Sequence, residues 1–101
     1  MADGKFILSR KAIADLEEIW NYTAEQWSEQ QAGRYYELLV QACRDAARLP
    51  ASNPTYEVIL PGLHGMHVGK HIIFYRTTTG SAIEVVRILH QRMDLPNRLK
   101  E

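Results

Sequence analysis

Cysteine is almost missing from this chain of 101 residues: Cys43 stands alone. No intramolecular disulfide can form, so packing must hold the fold, and a reducing compartment fits. Long apolar runs are missing too. None approaches the roughly 20 residues that a membrane-spanning helix needs. The opening MADGKFIL lacks the long apolar centre of a signal peptide. A cytoplasmic protein with no membrane partner is the expectation. Neither sign of charge is in excess, because twelve Lys and Arg balance twelve Asp and Glu. The total therefore gives no support to bulk polyanion binding. Internal repeats and low-complexity tracts are also absent.

Several chemical signatures are missing or incomplete. GLHGMHVGK (62–70) has three glycines and a lysine, but no Ser or Thr follows Lys70 and no helix pattern follows the stretch. It reads as a hairpin, not a phosphate loop. No glycine-flanked serine elbow is present. Cys43 falls on an apolar helical stripe, where a small thiol is inert packing. His64, His67 and His71 have ligand-like spacing, but the stretch reads as strand and turn. Residues 64 and 67 would then point to opposite faces, so no metal site is expected. No cofactor is implied.

What is present reads as one globular domain spanning 1–101. Hydrophobic residues make up 46% and charged residues 24%, which is enough apolar material for one two-layer core. Charge is unevenly spread. Residues 1–50 carry six basic against eight acidic side chains, a net −2, and residues 51–101 carry six against four, a net +2. All four histidines lie in the second half. That half can present a mildly basic face to an acidic partner.

KFILS predicts a short first strand buried on both faces, and Ser9 offers a helix N-cap. From Arg10 to about Gln26, Ile13, Leu16, Ile19, Trp20 and Trp27 recur at helical spacing, with Asp15, Glu17, Glu18 and Glu25 on the remainder. Ser28 and Gln31 match a capping box that opens a second helix. Its stripe includes Ala32, Tyr35, Tyr36, Leu39, Ala42, Cys43 and Ala46, and Pro50 ends it. So short a joint makes an antiparallel helical hairpin. Residues 50–62 form a loop with a short extended piece at 57–60. Strands follow at 63–68, 71–77 and 82–90. Gly69-Lys70 suits a type II′ turn between the first two. Beyond residue 90 a tail leaves the sheet, flexible from about 95 to 101, and Pro96 limits any helix there to a short one. The order predicts an α+β fold: an N-terminal strand, a two-helix hairpin, then a mostly antiparallel three-strand meander in one sheet.

RILHQRMD (87–94) concentrates the chemistry. His90 can serve as an acid or base near neutral pH, and Arg87 or Arg92 can hold a phosphate. A convincing acid is missing, because Asp94 is ordinarily charged at neutral pH. Lys70, Arg76 and Arg87 lie on or beside neighbouring strands, with Phe74 and Tyr75 interleaved. Such a surface can hold RNA. It can also meet a protein, or be inert, with Phe74 in the core and the arginines paired to Glu84.

LSRKAIADLEEIWNYTAEQWSEQQAGRYYELL, GKHIIFYR and VVRILHQRMD resemble the ParE family, toxins of bacterial type II toxin–antitoxin systems. The resemblance runs from about residue 6 to 99. It implies that the first strand lies beside the last. It implies inhibition of DNA gyrase and a ParD-like antitoxin that wraps the hairpin and a sheet edge. Leu16, Trp20 and Trp27 match positions that pack the hairpin. Target contacts would be Lys70, Arg76, Arg87, His90, Gln91 and Arg92, without sequence-specific nucleic-acid binding by the toxin alone. Tyr22, Tyr35, Tyr36 and Leu39 are candidates to hold the antitoxin or to fill the core. His64 and Lys70 stand where many relatives have Arg, which lowers the basic charge of the sheet. The related RelE ribonucleases commonly use a C-terminal Tyr, but no Tyr follows Tyr75. His90 with Arg87 or Arg92 is catalytic only in that alternative, and an inactive antitoxin-binding relative is the third reading.

Overall fold

A computed structural model describes residues 5–80 and 82–100. The elements are β1 (Phe6–Leu8), α1 (Arg10–Gln26), α2 (Glu29–Arg48), a 3-10 turn (Pro50–Ser52), β2 (His64–Val68), β3 (His71–Thr77), β4 (Ile83–His90) and α3 (Leu95–Lys100). The strands form one sheet in the order β1-β4-β3-β2. β1 runs parallel to β4, and the other pairs are antiparallel. This is the α+β arrangement expected, with the first strand beside the last.

Local chemistry sets the helix ends. The Ser9 hydroxyl accepts from the Ala12 N–H at 3.0 Å and donates to the Val86 carbonyl at 2.8 Å. One side chain thus starts α1 and ties it to β4. Ser28 caps α2 by accepting from the Gln31 N–H at 3.0 Å. Gly69 has φ +56°, and Lys70 does not share the positive region, as a type II′ turn requires.

The core lies between the hairpin and the sheet. Ala12 and Leu16 of α1 meet Leu39, Ala42, Cys43 and Ala46 of α2. Ile73, Tyr75, Ile83, Val85 and Ile88 face them from the sheet. A β-bulge between the partners of Phe74 and Tyr75 leaves Val86 unpaired. Inward positions therefore run Ile83, Val85, then Ile88, and the neighbouring Arg87 is re-aimed.

The other face of the sheet is also covered. Leu63, Ile72, Phe74, Leu89 and Leu99 form a second cluster. Tyr56, Ile59 and Leu60 cover it from the loop, and Leu95 from α3. Gly65 sits under Tyr56, where an added Cβ would lie 2.4 Å from the ring.

Four local expectations need correction. Ile7 is exposed, because β1 is an edge strand and only Phe6 and Leu8 turn towards the core. Trp27 is 76% exposed and does not pack the hairpin. As the C-cap of α1 it has left helical geometry, at φ −128° and ψ −81°, and so it leaves the stripe. Residues 57–60 form a turn, closed by Ile59 and Leu60 N–H bonds to the Tyr56 carbonyl. The extended bridge is instead Thr55 with His64. Residues 95–100 are a helix and not a loose tail, because Leu99 is buried in the second cluster. Glu101 lies outside the described residues.

Candidate functional site

The first polar centre is one that the sequence pattern did not reveal. Asp15 is buried on α1, although its acidity groups it with the solvated acids of that helix. Its Oδ2 and Oδ1 accept from Arg87 Nε and Nη2, each at 2.9 Å. Oδ2 also accepts the Ile88 N–H at 2.9 Å. Arg87 Nη1 donates to the Arg98 carbonyl at 2.9 Å, which reaches α3. The guanidinium fork matches the carboxylate bidentately, so each charge is satisfied in a place nearly closed to water. The available signal was position. Asp15 falls among Ala12, Leu16 and Ile19, on the apolar side of the helix. An acid on an apolar stripe demands a cation, but the partner is 72 residues away.

This removes Arg87 from the candidate contact surface and from the ribonuclease set. Its side chain is only 12% exposed and its fork is occupied. Arg76 is also apart from the sheet end. It lies mid-sheet on β3, and its Nε and Nη2 reach Glu84 Oε1 at 2.8 and 2.7 Å. That cross-strand pairing was the inert alternative for this residue.

Four of the six candidates do come together. The β2–β3 turn brings Lys70 beside the end of β4, because the Gln91 N–H donates to the Lys70 carbonyl at 3.0 Å. His90 accepts the Arg92 N–H on Nδ1 at 3.1 Å. Neutral His90 therefore carries its proton on Nε2. Lys70, Gln91 and Arg92 are exposed around it.

Beneath them lies a connection that no sequence motif announces. His71 is the cross-strand partner of His90, and their rings meet edge-on at 5.3 Å. The Tyr35 hydroxyl lies 2.6 Å from His71 Nδ1. It also accepts the Lys70 N–H at 3.3 Å. Burial, then the charge of His90, pushes His71 down to about 4, against a weaker opposing pull from Asp15. His71 is thus neutral, and Tyr35 can donate to its Nδ1. Burial likewise raises the Tyr35 hydroxyl, partly offset by the Lys70 N–H. Tyr35 belongs to the support of the turn.

The remaining candidates separate by burial. Leu39 is fully buried in the core and cannot reach a partner. It lies on the stripe that packs on the sheet, whereas Leu38 next to it is exposed. Tyr22 is exposed on α1, and Tyr36 on α2. Tyr36 meets Trp20 edge-to-face at 6.3 Å and 81°. Beside this pair runs a groove of about 480 Å³, lined by Leu8, Ile13, Leu16, Glu17, Trp20 and Tyr36. It follows the uncovered side of α1 next to β1.

Other chemistry is sparse. Cys43 is buried, and burial pushes its thiol up to about 12, so it is no nucleophile at neutral pH. His64 stacks on Tyr75 at 5.3 Å, and His67 lies 3.4 Å from the Tyr56 hydroxyl on the opposite face. Among the described residues, no group of three or more His, Cys, Asp or Glu is placed to hold a metal ion. No helix among them is long and apolar enough to cross a membrane.

Comparison with known proteins agrees with this architecture. Toxin ParE1 of Mycobacterium tuberculosis is 41% identical over 95 residues, which cover 94% of this chain and 97% of that toxin. Toxin ParE1 of Caulobacter vibrioides is 36% identical over 87 residues, covering 86% and 88%. Toxin ParE of Escherichia coli is 35% identical over 99 residues, covering 95% and 93%. A solved structure described as the chromosomal ParDE TA system from P. aeruginosa shares the fold, with a TM-score of 0.72 at 17% identity, over 89% of this chain and 98% of that one. The family model for the ParE toxin of the type II toxin–antitoxin system parDE matches residues 6–95. This chain belongs to the ParE family of toxins of type II toxin–antitoxin systems.

Proposed function

We propose that this chain arrests growth by inhibiting DNA gyrase and that a ParD-like antitoxin neutralises it. The observation that carries the reading is family membership over nearly the whole chain. The exposed end of the sheet supports contact and not chemistry. Lys70, His90, Gln91 and Arg92 form a small cationic and polar surface beside the His71–His90 ring contact. Among the described residues no carboxylic acid completes a proton-transfer set there, and Arg87 is locked to Asp15. We assign target contact to these four residues. Replacing Lys70 and Arg92 together with Ala lowers gyrase inhibition by about tenfold or more, on the order of the loss of two interface charges. The fold stays intact, because both side chains are exposed. Undiminished inhibition by the double variant, in a supercoiling titration, counts against this surface.

The groove along α1 is assigned to the antitoxin. Its apolar walls suit an amphipathic segment, and Glu17 at the rim suits a basic side chain on it. Trp20 and Tyr36 are the anchors, as aromatic residues often are. Tyr36→Ala weakens capture by a ParD-like antitoxin by about tenfold or more. Unchanged affinity by calorimetry would move the antitoxin elsewhere.

A further inference from the structure

Two adjacent tyrosines on α2 face different parts of the molecule, because successive helical residues are turned about 100° from one another. Tyr36 is exposed and lines the apolar groove beside Trp20. Tyr35 is half-buried and packs against the edge of the core. Its hydroxyl ends beneath the turn between β2 and β3.

Three groups of that turn meet this one oxygen. The Lys70 N–H donates to it at 3.3 Å, His71 Nδ1 lies 2.6 Å away, and the Val68 carbonyl lies at 3.3 Å. A phenol has a single proton to give. The shortest contact directs it to His71, which burial keeps neutral and so able to accept at Nδ1. Gly69 rests on the same side chain, since an added Cβ would lie 2.9 Å from the Tyr35 ring and hydroxyl. The backbone of the turn is therefore seated directly on the phenol.

Two contacts lead from the turn to the candidate target surface. The Lys70 carbonyl accepts the Gln91 N–H at 3.0 Å. The His71 ring meets the His90 ring edge-on at 5.3 Å, and His90 Nδ1 in turn accepts the Arg92 N–H at 3.1 Å. We infer that Tyr35 is a positioning residue for target contact: its hydroxyl sets the turn, and through it the placement of Lys70 and His90, without touching the target. This role rests on the assignment of that surface to gyrase. It divides two neighbouring side chains between two partners, with Tyr35 serving the target and Tyr36 the antitoxin. A surface carried on a loosened turn binds more weakly, because binding must then order it.

The test is Tyr35→Phe in the full-length toxin, which keeps the ring and removes only the hydroxyl. Half-inhibition of supercoiling by purified gyrase should need about fivefold more of this variant, on the scale of one lost hydrogen bond. Ile73→Val trims the core on β3 at a comparable cost in stability and should inhibit as wild type does. A double-variant cycle separates placement from general weakening. Added to Lys70→Ala with His90→Ala, Tyr35→Phe should cost less than about a further twofold, because the groups it places are already gone. The ring resonances of both His71 and His90 should move in the NMR spectrum of Tyr35→Phe. Undiminished inhibition by Tyr35→Phe overturns the inference, as does full additivity in the cycle. An equal loss in Ile73→Val overturns it in favour of stability alone, and unmoved His90 resonances break the link to the surface. Failure of wild type to inhibit gyrase removes the gyrase reading. Growth arrest on expression then replaces supercoiling as the readout. Tyr35→Phe should arrest growth more weakly than Ile73→Val, and equal arrest overturns the positioning role as well.

Discussion

Asp15 is the residue whose environment decides most. It satisfies Arg87 twice and the Ile88 N–H once, in a place nearly closed to water. Asp15→Ala leaves a buried guanidinium and a backbone donor without partners. The expected loss is about 3–5 kcal/mol of folding stability, measured by denaturant unfolding. Asp15→Leu combined with Arg87→Met should lose less than Asp15→Ala does, because no charge is then stranded. A double variant worse than the single one would show that the pair contributes beyond mutual neutralisation. His71 carries a second prediction at this scale. Its folded pKa of about 4 lies below the ordinary 6.5. Between those values the unfolded chain binds the extra proton and the folded chain does not. Stability therefore falls as pH drops from 6.5 towards 4, and is unaffected by this group above that window. Thermal melting across the window should be flatter in His71→Gln than in wild type. Parallel curves would assign the acid sensitivity to another group.

At the scale of elements, the β2–β3 turn positions the whole candidate contact surface. Gly69 adopts φ +56°, and an added Cβ would lie 2.9 Å from the Tyr35 ring and hydroxyl. Gly69→Ala should cost at least about 1–2 kcal/mol from backbone strain, and should also disturb the Tyr35–His71 contact. A neutral effect on unfolding would contradict that account. This turn was legible in the sequence, and so were both helix starts, because a turn and a cap are written in neighbouring residues. Ser9 and Ser28 bond to N–H groups three residues on. The exposure of Ile7 and Trp27 was not legible. Apolar spacing marks where a side chain can pack, while an edge strand and a helix end decide whether anything lies opposite. The Asp15–Arg87 pair was illegible for the same reason, since it joins elements far apart in the chain, and the His71–His90 pair was illegible because its register depends on the β-bulge between two neighbouring strands. The helical character of residues 95–100 also depends on a distant surface. Leu99 has a cluster to enter only after Leu63, Phe74 and Leu89 have been brought together.

The whole molecule presents two surfaces around one sheet. The apolar groove lies along α1 and β1, and the small polar surface at the far end of β4. Parallel pairing of β1 with β4 sets this layout, because it fixes where α1 begins. Periodicity could not reveal that these strands are neighbours, which came from the resemblance of the chain to ParE toxins, and their parallel sense came from the structure. The layout predicts that antitoxin and target can occupy different faces of one toxin. Tyr36→Ala should thus lose antitoxin affinity while keeping growth arrest. If it loses both equally with its fold intact, the two partners share a surface. The central claim is inhibition of gyrase without chemistry by the toxin itself. Its most direct measurement is a supercoiling reaction with purified gyrase, relaxed plasmid and ATP, titrated with the purified chain. Loss of supercoiling, with linear DNA released after detergent and protease, is the predicted result. Complete supercoiling and no linear DNA at a large molar excess of toxin would contradict it.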